Sequence, residues 1–166
     1  GRWGAIKETG EEVIPIKYYG IQLAGKELVR VSIPEVINPE YDKNGIVCRC
    51  RLSAKFGYID QTGKEITPIK YKDGGVFRNG LARVRLNDKH GFINTKGEEI
   101  IPLKYDSVSN FREGHACVKL NGKYGFLNTK GEEIIPLKYD YASDFSEGLT
   151  CVKLNGKYGF LNTNGE

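Results

Sequence analysis

KYGFLNTKGEEIIPLKYD at residues 123–140 repeats KHGFINTKGEEIIPLKYD at residues 89–106, with changes only at His90/Tyr124 and Ile93/Leu127. Such a duplicate is either a working site or a structural element laid down twice. An aromatic or imidazole residue before glycine recurs as Trp3-Gly4, Phe56-Gly57, His90-Gly91, Tyr124-Gly125 and Tyr158-Gly159. Proline keeps the same register at Pro15, Pro68, Pro102 and Pro136, and in both series the first interval is 53 residues where the later ones are 34. The first repeat therefore carries 19 extra residues. Self-similarity at a period of roughly 20–50 residues marks a repeat architecture, in which each supersecondary unit buries its face against a neighbour.

Within one period, Ala116, Val118 and Leu120 alternate with Cys117 and Lys119, which predicts a strand with one buried face. Asn121-Gly122 supplies the positive φ of a type I′ turn. A second strand then starts at Tyr124, Thr129-Lys130-Gly131 turns the chain again, and residues 132–136 read as a third strand. Each repeat is expected to be a three-stranded meander. Proline cannot donate to a ladder, so Pro15, Pro68, Pro102 and Pro136 belong at the end of the third strand or on an exposed edge. In the crossover, Phe77, Phe111 and Phe145 are expected to plug the seam between repeats, with Gly45, Gly80, Gly114 and Gly148 opening the next strand.

Apolar spacing of helical period is never sustained beyond about two turns. The expected fold class is all-β, with tandem 34-residue repeats of antiparallel meanders forming an open superhelix and a propeller-like closure as the alternative. Repeats are assigned to about residues 1–52 with an insertion at 20–44, then 53–86, 87–120, 121–154 and a partial repeat at 155–166. In the insertion, residues 28–31 read as a strand, and Pro34 and Pro39 are expected to break the chain beyond it.

The 39% hydrophobic and 28% charged content is that of a soluble folded protein, and 21 glycines with 10 tyrosines favour turns and strands. A net charge of +4, spread in columns of both signs, argues against a dedicated nucleic-acid binder, which concentrates one sign on one face. No apolar run approaches the roughly 20 residues of a membrane-spanning helix, and no signal-peptide pattern is present. Four cysteines are too few for a dense disulfide framework. The chain starts at Gly1, lacks methionine and stops before the third strand of a fifth repeat, so a processed product or a piece of a longer array is expected.

Taken together, Tyr124-Gly125, the Asn128-to-Gly131 turn, Ile134-Ile135-Pro136, Tyr139-Asp140, the Phe145-to-Gly148 segment and the Thr150/Val152 pair resemble the WG repeat family, and the likeness covers nearly the whole chain. Departures are the single tryptophan Trp3, His90 in place of a ring, Lys72 and Tyr19 where Asp106 and Asp140 stand, and Thr150 in place of Ala82 and Ala116. The resemblance implies a mostly bacterial tandem β module used for binding or scaffolding, and it carries over no catalytic residue. A soluble bacterial protein of the cytoplasm or cell envelope fits it.

Charge recurs with the repeat. Arg51, Arg85, Lys119 and Lys153 form one column, Lys55, Lys89, Lys123 and Lys157 a second, Lys17, Lys70, Lys104 and Lys138 a third, and Glu12, Glu65, Glu99 and Glu133 an acidic fourth. The favoured reading is cross-strand pairing on a solvated face, each pair contributing about 0.2–1 kcal/mol. Its alternative is a stripe, built from the first column, for a polyanion.

His115 and Cys117 sit two apart, on one strand face, but the repeat substitutes Leu81 and Arg83 there, which disfavours a catalytic dyad. Cys48-Arg49-Cys50 lacks the further ligands a zinc site needs and aligns with core positions Ala116 and Val118. Cys117 and Cys151 occupy equivalent positions that could meet across stacked repeats. Tyr18, Tyr71, Tyr105 and Tyr139 either pack at repeat boundaries or line a groove for a carbohydrate or cell-envelope ligand. Gly74-Gly75 lacks the partners of a phosphate loop.

The expected function is a non-enzymatic interaction module with a protein partner, without metal or cofactor, and with self-association through terminal strands as a further possibility. Carbohydrate binding by the tyrosines and weak polyanion binding by the basic column are the alternatives. Specificity is sought where repeats differ: Gln22, Glu35, Asn38 and Tyr41 in the insertion, and Arg51, Arg85, Lys119 and Lys153 in the column.

Overall fold

A computed structural model describes residues 2–6, 8–10, 12–24, 28–41 and 47–166, with the backbone alone for Pro15, Ile16 and residues 35–41 and 47–53. Among the described residues there is no helix. The strands are β1 (Trp3–Ile6), β2 (Glu12–Tyr18), β3 (Gly20–Leu23), β4 (Leu28–Tyr41), β5 (Val47–Asp60), β6 (Glu65–Tyr71) and β7 (Asp73–Gly74). They continue with β8 (Leu81–Leu86), β9 (Lys89–Asn94), β10 (Glu99–Tyr105), β11 (Ser107–Val108), β12 (His115–Leu120) and β13 (Lys123–Asn128). The last four are β14 (Glu133–Tyr139), β15 (Tyr141–Ala142), β16 (Leu149–Leu154) and β17 (Lys157–Asn162). The fold is all-β.

The chain divides into two compact units, Gly1–Ala82 with Thr95–Gly97, and Arg83–Asn94 with Glu98–Glu166. In the first, β1 pairs with β2 and β3-β4-β5-β6 form an antiparallel sheet. In the second, β9 pairs with β10, β11-β12-β13-β14 form a four-stranded sheet, and β15-β16-β17 a three-stranded one. The expected three-stranded meander gains a strand. Ser107 and Val108 of the crossover pair with Lys119 and Val118, so the connecting segment itself joins the sheet.

The hairpin β12–β13 closes through Asn121 (φ 50°) and Gly122 (φ 81°), the left-handed pair that a type I′ turn requires. That turn sets the register Cys117↔Phe126 and Val118↔Gly125. The one-sided burial expected of β12 is replaced by burial of Ala116, Cys117 and Val118 in succession. The face that carries Cys117 is covered because Ala142, Phe145 and Val152 of the following repeat close over Cys117, Phe126 and Ile135. Phe145 meets Phe126 edge-on at 4.9 Å and His115 at 4.7 Å, so it does fill the seam between consecutive repeats. Burying a ring of this kind contributes about 3 kcal/mol.

The third long strand does not stop at proline. β14 continues to Tyr139 because between Phe126↔Ile135 and Tyr124↔Tyr139 it spends four residues against two of β13, a bulge that holds Pro136. β14 is also the sheet's edge, where a missing N–H costs no ladder bond. Pressed by this bulge, the backbone of Ile135 would lie 2.6 Å from a Cβ built on Gly125. Only glycine fits there, which is the physical reason for glycine in the aromatic-glycine pair.

The first repeat is rearranged relative to expectation. Gly20↔Ser32 and Ile21↔Val31 reproduce the pairing Ser107↔Lys119 and Val108↔Val118, so residues 20–33 belong to the repeat. The extra residues lie between Ile33 and Lys55, where β4 and β5 lengthen into a hairpin through Pro34↔Ala54, Glu35↔Ser53, Val36↔Leu52 and Ile37↔Arg51. Pro34 and Pro39 do not break the strand. Pro34 comes after Ser32, the last β4 residue paired with β3, and Pro39 falls where the register shifts between Ile37 and Glu40, so neither interrupts a two-sided ladder. Gly45 lies outside the described residues, as do the side chains of Cys48 and Cys50. Among the described residues no helix is long and apolar enough to cross a membrane.

Candidate functional site: a niche repeated on the hairpins

Register builds a cross-strand row in three of the repeats. Ser107 pairs with Lys119 and Lys119 with Tyr124; Gly20 pairs with Ser32 and Ser32 with Phe56; Tyr141 pairs with Lys153 and Lys153 with Tyr158. Each of the first two rows floors a shallow niche. The one at Tyr124 has a volume of about 170 Å³ and takes in Ser109, Cys117 and Asp144, while the one at Phe56 has about 160 Å³ and takes in Gln22 and Arg30. The two are built from equivalent positions.

A cation lies over the ring in each row: Arg30 over Phe56 at 4.8 Å, Lys119 over Tyr124 at 5.0 Å and Lys153 over Tyr158 at 5.0 Å. Such contacts contribute about 0.5–1 kcal/mol at exposed sites. Arg30 also donates to the carbonyl of Gly74 and the amide oxygen of Gln22. Lys119 and Lys153 make no ion pair among the described residues. Asp144, on the wall of the niche at Tyr124, is bridged by Arg112 at 3.3 Å.

The expected pairing of basic columns with the glutamate column is corrected by the aspartates. Lys89 and Lys123 contact Asp106 and Asp140 at 2.5 and 2.6 Å, and each aspartate's second oxygen accepts a turn N–H, from Asn121 at 2.8 Å and Asn155 at 2.9 Å. The lysine bond, more than any other contact, holds both carboxyls below their ordinary range. The first column also loses Arg51, which pairs with Ile37 in the long hairpin; Ser32 holds the equivalent position. Arg85 stands in the column on β8, with Nε buried and without a hydrogen-bond partner. Of the insertion candidates, Gln22 enters a niche, whereas Glu35, Asn38 and Tyr41 lie on the long hairpin with side chains outside the described set.

The tyrosine row does not line a groove. Tyr18, Tyr71, Tyr105 and Tyr139 are buried, with exposures of 4%, 2%, 4% and 6%, because each sits where the bulge returns its strand to the sheet. Nor does His115 hydrogen-bond the Cys117 thiol: the imidazole stacks on Phe145, while Cys117 Sγ donates towards Ala142 O at 3.9 Å. Burial pushes that thiol up to about 12. Cys117 and Cys151 are free, and among the described residues no His, Cys, Asp and Glu cluster could hold a metal ion. The residues missed from sequence were Arg30 and the rings Phe56, Tyr124 and Tyr158. Their signal was the variable first position of the aromatic-glycine pair.

Repeated antiparallel sheets, each seamed by the next repeat's phenylalanine, define a tandem β-repeat protein. Residues 3–31, 56–89, 91–124 and 124–158 each match the WG containing repeat. The chain belongs to the WG containing repeat family. The first match ends at residue 31 and the second begins at 56, on either side of the lengthened part of the β4–β5 hairpin. Comparisons with curated proteins and with solved structures found no match.

Proposed function

We propose that this β-repeat module is a non-enzymatic interaction domain that engages a protein partner through the niches at Phe56 and Tyr124 and the matching row at Tyr158. The observation that carries this reading is a constant floor with a variable rim: Val31 and Val118 occupy equivalent buried positions, while Gln22, Arg30 and Ser32 are replaced by Ser109, Cys117 and Lys119. Constant packing with changing rim chemistry suits recognition. The high pKa of Cys117 and the stacking of His115 argue against a Cys117–His115 nucleophile. Partners captured by cross-linking should be lost when Gln22→Ala, Lys119→Ala and Lys153→Ala are combined, and kept when residues 34–54 are replaced by the two-residue Asn-Gly turn of the β12–β13 and β16–β17 hairpins. Retention in the triple variant, or turnover abolished by Cys117→Ala, would refute the reading.

A further inference from the structure

Resting on that interaction reading, we propose that the niche is a receptor for side-chain carboxylates of an acidic peptide segment, with the ring-stacked lysine as counter-charge. The positions supplying the cation exchange between repeats: Arg30 with Ser32 at Phe56, Cys117 with Lys119 at Tyr124. Arginine gives way to cysteine and serine to lysine, yet a positive group remains over the ring. Core packing alone has no need of that compensation.

At Tyr124 the Lys119 ammonium has no ion-pair partner among the described residues. Asp106 feels Lys119, but its two oxygens are taken by Lys89 Nζ and the Asn121 N–H, and Asp144 is bridged by Arg112. Size narrows the occupant: about 170 Å³ accommodates the head of one side chain, well short of the roughly 300 Å³ at which small-molecule pockets begin. Charge narrows it further. Asp144 on the wall and Asp106 near Lys119 oppose the continuous charge of a phosphate backbone, whereas an isolated carboxylate meets one cation, the Ser107 hydroxyl and the tyrosine, the Ser109 hydroxyl being donated to the Asn110 carbonyl.

The experiment is an amide-shift titration of the labelled chain with a capped peptide whose two glutamates are separated by neutral Gly-Ser residues and, separately, with an oligothymidylate, at about 0.15 M salt. The glutamate peptide should shift Ser107, Lys119 and Tyr124, with counterpart shifts at Lys153 and Tyr158. Lys119→Gln should weaken its binding about threefold, and Lys119→Gln with Lys153→Gln should weaken it further, the spectrum itself reporting a preserved fold. Absence of these shifts, binding indifferent to the variants, or tighter binding of the oligothymidylate overturns the proposal. Partner capture that survives such a result would leave the interaction reading standing and remove only the carboxylate.

Discussion

Glu113 accepts the backbone N–H of Glu147, its own counterpart one period later, at 2.8 Å, and its other oxygen takes the N–H of Gly148 at 2.9 Å. One carboxylate thereby ties the loop before β12 to the loop before β16. Both donors lie in a left-handed turn, Glu147 at φ 52° and Gly148 at φ 77°, whose amide groups converge on the anion.

Glu113→Ala should destabilise the protein by about 1.5–3 kcal/mol in urea unfolding, the range for hydrogen bonds to a charged group. Glu147→Ala is the matched control. The Glu147 carboxylate has no partner among the described residues, so its removal should be close to neutral. Equal losses from both would refute the contact's role.

Gly125 and Gly159 occupy the same motif position in different surroundings. A Cβ on Gly125 would press the Ile135 carbonyl at 2.6 Å and the Leu137 nitrogen at 2.9 Å, while one on Gly159 meets nothing within 4 Å. Gly125→Ala should cost about 1–3 kcal/mol and Gly159→Ala much less, measured as midpoint shifts in thermal or urea melts.

Acid should loosen the array through Asp106 and Asp140. Their folded carboxyls lie below the ordinary 3.8, chiefly through the bonds to Lys89 and Lys123. A depressed folded pKa gives stability that is complete above the unfolded value and lost as pH falls through the folded one. Unfolding curves below about pH 4 should therefore shift, and Asp106→Asn with Asp140→Asn should flatten that dependence while leaving its shape above about pH 5 unchanged. An unaltered acid limb in the double variant would refute the assignment.

Cys117 should resist alkylation. With its thiol at about 12, only about one molecule in ten thousand is thiolate at pH 8. Mass spectrometry after iodoacetamide should find Cys151, which is half-buried, modified well before Cys117. His115→Ala should leave the Cys117 rate unchanged; a slower rate would reveal an imidazole assisting the thiol after all.

Local chemistry made much of this fold legible from sequence. Asn121-Gly122 announced its turn because positive φ is a property of those two residues, and Phe145 announced a seam because a lone ring in a polar crossover needs cover. The insertion was misplaced because Arg51-Leu52 imitates Arg85-Leu86, and nothing within six residues tells a copied strand from an added one. Pairing decided it: Gly20↔Ser32 is a contact across the sheet. The niche was hidden for a related reason. Lys119 and Lys153 group naturally by column, with an acidic neighbour as the obvious partner, although the short turn already puts Tyr124 and Tyr158 directly opposite them.

The β4–β5 hairpin shows how such an array can diversify. It lengthens in unbroken register from Ile33↔Lys55 to Ile37↔Arg51 while the strands beneath keep the pairing of their siblings. Closure entropy rises only slowly with loop length, about 0.6 kcal/mol per doubling. A hairpin tip is thus a port for acquiring sequence, open in every copy to a graft that leaves its neighbours undisturbed.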